Sequence, residues 1–280
     1  MRRTTTLSFP SFVLTIICLG RFLSVNAHAE QLTLAGSSTI QPVAEVLGQK
    51  FEQLHPESQI NVQGGGSSVG ITAPQSGLAD IGMVSRALHA EEAQKLVPTT
   101  FALDGIALIA HASNPVSGLS RQQVIDIYTG KVSNWGALGW RDARIVVVNK
   151  EEGRATLELF AQYFELTGTF VRGAIIIGPN GQAIATVAGN PQAIAYVSIG
   201  SAEVAVEQGT SIKLLALDGV AATSINVKSG AYGLTRPLNF VTMGPPHGLA
   251  KAFLDFVLTP MGQQIVTEQG FVPVRKIITR

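Results

Sequence analysis

Cysteine is almost missing from this sequence: Cys18 is the only one. No intrachain disulfide can form, and a chain of 280 residues needs none, because it can bury an adequate core. Charge is scarce too. Only 14% of residues are charged, and the signs nearly balance at 20 basic against 19 acidic side chains. That leaves no basic field for nucleic acid and no polybasic patch for a membrane surface. His55, His89, His111 and His247 are scattered without metal-ligand spacing, so neither a metal nor a cofactor is expected. Apolar runs long enough to span a bilayer are missing as well. The 46% hydrophobic content is nonetheless that of a compact globular chain.

The one apolar run of note is at the start. Met1-Arg2-Arg3 is a short basic region, Leu7 to Gly20 is largely apolar, and Ala27-His28-Ala29 has the small-x-small form of a cleavage site. This is the anatomy of a secretory signal peptide over residues 1–29. Pro10 and Arg21 interrupt the run, which makes it a poor membrane anchor. A twin-arginine signal at Arg2-Arg3 is disfavoured by the residues that follow. Lipidation at Cys18 is disfavoured because Thr15-Ile16-Ile17 lacks the usual Leu and small residue. Removing residues 1–29 takes away Arg2, Arg3 and Arg21 and no acid, leaving 17 of the 20 basic side chains against 19 acidic ones. It also removes Cys18, and with it any cysteine nucleophile or thiolate metal site.

Beyond residue 30, strand-like and helical patterns alternate, which predicts an α/β chain. Strands are expected at Leu32–Ala35, Gln59–Gln63, Ile81–Val84, Ala102–Ala110, Ile145–Val148, Ile194–Val197 and Phe240–Met243. Ile40, Val43, Leu47, Phe51 and Leu54 form a stripe of helical period. Ser120 and Gln123 read as a capping box opening a helix to about Tyr128. Further helices are expected from about Ala155, over Gly181–Ala188, over His247–Leu258 and around Met261–Glu268.

Three places share one design, in which a strand runs into a Gly/Ser/Thr-rich turn that opens a helix. They are Gly36-Ser37-Ser38-Thr39, Gly64-Gly65-Gly66-Ser67-Ser68 and Glu152-Gly153-Arg154-Ala155-Thr156. Helix N-termini carry free N–H groups and the positive end of the dipole, so they attract anions. Hydroxyls add donors, and glycines let the backbone come close. Arg86, Lys150 and Arg154 flank the same predicted strand ends. The pattern alone leaves open whether the three turns form one anion site or serve as independent caps.

The order of these segments resembles a known family. Leu34 to Ile40, Gly64 to Gly70, Asp80 to Arg86, Asp104 to Ala107, Asn114-Pro115-Val116, Ile127 to Trp135 and Gln192 to Ser198 follow the pattern of the phosphate-binding proteins of bacterial ABC phosphate importers. The resemblance implies a two-lobed periplasmic-binding-protein fold with ligand in the cleft and lobes that close by hinge motion. It implies lobe one at 30–109 plus 229–280 and lobe two at 110–228. It also implies a monomer in the periplasm that binds phosphate or a similar oxyanion and partners a membrane ABC permease. By the same resemblance the ligand residues are Ser37, Ser38 and Thr39, then Ser67, Ser85 and Arg86, and finally Lys150, Arg154, Ala155 and Thr156.

The last group departs from the family, which has Arg where this chain has Lys150 and Ser-Gly where it has Arg154-Ala155. Arg154 is expected to point into the cleft and favour fully ionised tetrahedral anions; an outward, solvent-facing Arg154 would leave selectivity phosphate-like. The alternative function is a sensor, adhesin or surface protein on the same fold. A remoter one is a serine hydrolase, since Gly66-Ser67-Ser68-Val69-Gly70 matches a nucleophile elbow. No motif supports His247 as its partner, and no enzyme is expected. Glu151 and Glu152 read as solvated helix-start charges, and Trp135 and Trp140 as core.

Overall fold

The computed structural model describes residues 29–274 except 167, 169, 171 and 172. The segment read as a signal peptide, Cys18 included, lies outside the described residues apart from Ala29. In chain order the elements are β1 (Glu30–Gly36), α1 (Gln41–Leu54), β2 (Ser58–Gly64), α2 (Ser67–Gln75), β3 (Ile81–Val84), β4 (Leu96–His111), β5 (Gly118–Leu119) and α3 (Arg121–Tyr128). Then come β6 (Val146–Lys150), α4 (Ala155–Phe164), β7 (Ile175–Ile177), α5 (Asn180–Ala188), β8 (Ala193–Ser198) and α6 (Ile199–Glu207). β9 (Ile212–Leu214), β10 (Ala216–Leu217), α7 (Ser224–Ser229), β11 (Thr235–Met243), α8 (Gly248–Val257), α9 (Pro260–Glu268) and β12 (Val272–Pro273) complete the chain.

A hydrogen-bonded path β2-β1-β3-β11-β4-β8-β6-β7 runs through the molecule. At one end β1 is parallel to β2 and β3, and at the other β6 is parallel to β7 and β8. The long strand β4 joins the halves. It pairs antiparallel with β11 over Leu96–Gly105 and with β8 over Ile106–Ala110. Each half has its own apolar interior, as an α/β layer requires. Leu34, Leu47, Phe51, Phe240 and Phe253 pack together in the first; Tyr128, Trp135, Phe160, Phe164 and Tyr196 pack in the second. Val148, Ile184, Val187 and Val197 form a smaller core under α5. The change of core falls between Ala102 and Ile106 on β4 and between Leu234 and Leu238 near β11. The fold is therefore two-lobed, with its strand ends and helix starts facing a common cleft.

Local chemistry explains most boundaries. Val43, Leu47 and Phe51 of α1 are fully buried at helical spacing, whereas Leu54, the last of the expected stripe, is exposed at the helix end. The Ser120 capping box is present, with both of its reciprocal bonds. β11 begins at Thr235, five residues before the expected Phe240. It carries Pro237, which is paired with Leu103 of β4 but lies outside the stretch Asn239–Val241 where β3 pairs, so only one side of the strand is occupied there. Gly70 is a close approach: a Cβ there would stand 2.1 Å from the carbonyl oxygen of Met83, so only glycine lets α2 lie on β3.

Candidate ligand-binding site

Four helices begin at the cleft. α1, α2, α4 and α5 have no side-chain cap, and neither does α8, which opens at His247 outside this cluster; α3, α6, α7 and α9 are capped by Ser120, Ser198, Thr223 and Thr259. Uncapped first turns leave backbone N–H groups for another acceptor. Three of these starts are the turns singled out in the sequence. The fourth, at Pro179-Asn180, opens the helix expected over Gly181–Ala188, and no motif marked it.

The hydroxyls of these turns meet around one guanidinium. Ser37 Oγ donates to Ser85 Oγ at 2.9 Å, the Ser85 N–H donates to Ser67 Oγ at 3.1 Å, and the two serine hydroxyls Ser67 and Ser85 stand 3.3 Å apart. Arg236 Nη1 donates to Ser85 Oγ at 3.3 Å and to Thr156 Oγ1 at 2.9 Å, and its Nη2 donates to Thr39 Oγ1 at 3.1 Å. Thr39 and Ser85 belong to the first half, Thr156 to the second. Asp104 anchors the other edge of the guanidinium, with Oδ2 accepting from Nε at 3.1 Å and from Nη2 at 2.8 Å. Both side chains are fully buried, at 0% and 1% exposure. A buried charge without its partner is costly, so Asp104 holds Arg236 in place and aims its outer nitrogens at the hydroxyls.

Lys150 supplies a second cation at the end of β6. Its Nζ donates to Asn180 Oδ1 at 3.2 Å and to the Gly178 carbonyl at 3.3 Å, neither of them an anion. Burial, followed by the nearby charges of Arg236 and Arg154, pushes its pKa down to about 7. Asn180 Nδ2 reaches across the cleft to Thr39 Oγ1 at 3.1 Å. Behind Lys150, the Tyr196 hydroxyl accepts from the Lys150 N–H at 3.4 Å and donates to Asn149 Oδ1. Phe160 stacks on the Tyr196 ring at 3.8 Å between centroids, so an aromatic wall backs the turn. Ala155 and Thr156, the first residues of α4, are both buried.

Arg86 and Arg154 stand differently. Arg86 Nη1 and Nη2 donate to the two oxygens of Glu92 at 2.7 and 2.8 Å, and Nε donates to Glu158 Oε2 on α4 at 2.9 Å. Burial works against its charge, but the two carboxylates more than offset this, and its pKa lies above the ordinary arginine value. Arg154 points neither to bulk solvent nor into the hydroxyl cluster. Its side chain, 15% exposed, crosses the cleft so that Nη1 donates to Ser38 Oγ at 3.2 Å and Nη2 to Glu151 Oε2 at 2.9 Å. Gly66, at φ +102°, makes room for it, since a Cβ there would press on the Gly153 carbonyl and on Arg154 Cδ. Ser68, the central serine of the elbow-like motif, donates its N–H to the Gly153 carbonyl at 3.1 Å, while His247 opens α8 beside Glu30 and Asp80. Trp135 is core, with Nε1 donating to the Gln192 carbonyl at 2.8 Å.

Motif reading missed Arg236, Asp104 and Asn180 as contributors to the cluster. Asp104 lay in a segment that carried the resemblance, but nothing marked its carboxylate as the anchor of a cation more than a hundred residues away.

Fold and site together define a two-lobed binding protein with an anion-seeking cleft. A family model described as a PBP superfamily domain matches residues 24–260. The chain is 31% identical over 249 residues to the phosphate-binding protein PstS of Bacillus subtilis (strain 168), covering 87% of this chain and 80% of that one. Among solved structures it matches a proposed phosphate ABC transporter substrate-binding protein with bound phosphate from Clostridium perfringens. The TM-score is 0.82 at 35% identity, over 88% of this chain and all of that one. An ABC-type phosphate transport receptor from Vibrio cholerae matches with TM-score 0.68 at 31% identity, over 87% of this chain and 99% of that one. The chain belongs to the PBP superfamily and, within it, to the family of PstS phosphate-binding proteins.

Proposed function

We propose that the chain captures inorganic phosphate outside the cytoplasm and delivers it to a membrane ABC permease. It acts in the periplasm as a monomer, and catalysis is no part of its role. The observation that carries this reading is the buried Arg236, held by Asp104 and aimed at hydroxyls from both halves, Thr39 and Ser85 on one side and Thr156 on the other. A tetrahedral oxyanion needs donors from all directions, and a guanidinium, an ammonium, hydroxyls and uncapped helix starts supply them. In this reading the ligand is met by Thr39, Ser67, Ser85, Thr156, Lys150 and Arg236, with the backbone of Ser37–Thr39 and Arg154–Thr156. The lobes are 30–105 plus 235–274 and 106–234, and they hinge where Gly105 of β4 pairs with Thr235 of β11.

Calorimetry of the ligand-stripped protein from Glu30 onward tests it. One phosphate per chain is the expected result. Absence of heat and of thermal stabilisation with phosphate, arsenate and sulfate alike would sink the proposal.

A further inference from the structure

We infer that Arg86 works in this chain as a clasp that holds the cleft closed, and that Glu158, which no motif marked, is its counterpart on the opposite lobe. A guanidinium that binds an oxyanion needs free N–H groups facing the ligand. Arg86 has given Nη1 and Nη2 to Glu92 as a fork and Nε to Glu158, and Nη1 also donates to the Ala87 carbonyl. Glu92 lies on the same lobe as Arg86 and orients it, so this half of the arrangement persists whether the lobes are open or closed. Glu158 lies on the first turn of α4, in the other lobe, so its contact spans the cleft and would have to break for the lobes to part. His89 adds a second contact from the same side, with Nε2 3.0 Å from Glu158 Oε1.

Other bonds cross the cleft alongside this one. The Ser68 N–H donates to the Gly153 carbonyl at 3.1 Å, and Arg154 donates to Ser38. These bonds join the lobes protein to protein, so they favour closure on their own account. A binding protein whose competent state is populated beforehand has its apparent affinity raised by that fraction. Glu158 and Glu92 are thus positioning residues, acting on the ligand through the lobe equilibrium.

The inference builds on the cleft being the anion site, but its main test needs no ligand. The chain from Glu30 onward has no cysteine, so Gln49→Cys on α1 and Ala185→Cys on α5 accept a pair of spin labels cleanly. Glu158→Ala suits the fold, because the site is 41% exposed on a helix and Arg86 keeps its fork to Glu92. In the ligand-free protein, Glu158→Ala should move the label distances toward a longer, open population, and Glu158→Gln should do so by less. With saturating phosphate both variants should return to the wild-type distance. Phosphate affinity should fall about threefold to tenfold with no change in the phosphate-to-sulfate ratio. Identical ligand-free distances in wild type and Glu158→Ala would overturn the clasp. So would tighter phosphate binding at unchanged distance, which would mean that Glu158 only repels anions from the start of α4. Failure of the wild type to bind phosphate would overturn the functional reading and leave the ligand-free distances still deciding the clasp.

Discussion

Arg86 and Arg236 are both buried, both bound to carboxylates and both close to the cleft, yet they are placed for different work. Arg236 meets a single carboxylate, Asp104, along the edge made by Nε and Nη2, and its outer nitrogens are left to neutral hydroxyls. Hydroxyls can turn from accepting an arginine proton to donating toward an anion, so this guanidinium keeps its charge available. Arg86 is enclosed by two carboxylates, which balance its charge and occupy most of its donors. A buried arginine is thus read by what occupies its donors, not by its nearness to a cleft or by the motif that contains it.

The comparison is broken most severely at Arg236. Arg236→Ala should lower phosphate affinity at least about 100-fold, since charge-assisted hydrogen bonds are worth about 1.5–3 kcal/mol each. It should also destabilise the fold by about 3–5 kcal/mol, because Asp104 is left buried and unpaired. Adding Asp104→Ala should restore much of the stability but none of the binding. Thermal unfolding and calorimetry on the cycle of four proteins check both limbs. Recovery of binding in the double variant would show that Arg236 is a structural ion pair like Arg86.

Lys150 sharpens the contrast, because it is the cation in the cluster with no carboxylate on its Nζ. Its pKa of about 7 is low for a lysine, so the ligand-free group is largely neutral above that pH. A bound dianion favours the charged form, and binding near pH 8.5 should take up close to about one proton at this residue. At pH 6 the group is already charged and uptake should vanish. Affinity should therefore weaken as pH rises above 7, and Lys150→Met should weaken binding about tenfold and remove the uptake. Phosphate's own protons are common to both proteins, so calorimetry in two buffers isolates the difference. The sign for stability is the same as that of a salt-bridged carboxylate, because in both cases folding lowers the pKa, although here the neutral form is the favoured one. The unfolded lysine binds its proton up to about 10.5, so the ligand-free protein loses this contribution as pH falls from there toward 7. Equal proton uptake in wild type and Lys150→Met would show that Lys150 does not respond to the anion.

Much of this site could be read from the chain because its turns combine three local signals: a strand end, a glycine and a hydroxyl at a helix start. Those signals lie within a few residues of one another, and the fold then brings the three turns together. Arg236 has no such local mark. It sits in a strand that Pro237 disguises, and its meaning comes from Asp104, 132 positions earlier in the chain. Asn180 follows a proline and precedes a glycine, so it reads as a turn residue, although its amide links Thr39 to Lys150. The role of Arg86 depends on Glu158, 72 positions away, which no spacing rule connects to it. Short-range chemistry is legible in sequence; cross-lobe pairing needs the fold.

The smallest effect belongs to Arg154, the third arginine at the cleft and the residue where this chain leaves its family's pattern. An Arg154 reaching the ligand would add a full charge and shift selectivity toward fully ionised anions. In the structure its two terminal nitrogens go to Ser38 and Glu151, and the carboxylate balances its charge. The pair is partly exposed, so its worth is at most about 1 kcal/mol, as for other solvent-screened pairs. Arg154→Ser should therefore weaken phosphate about two- to fivefold by loosening the contact to Ser38. The ratio of phosphate to sulfate affinity should stay within about twofold of wild type between pH 5 and 8, because no ligand donor has been removed. Titrations of both anions against wild type and variant measure this directly. A ratio that moves tenfold toward phosphate in Arg154→Ser would place the guanidinium on the ligand. The arginine in this family position would then join Arg236, not Arg86.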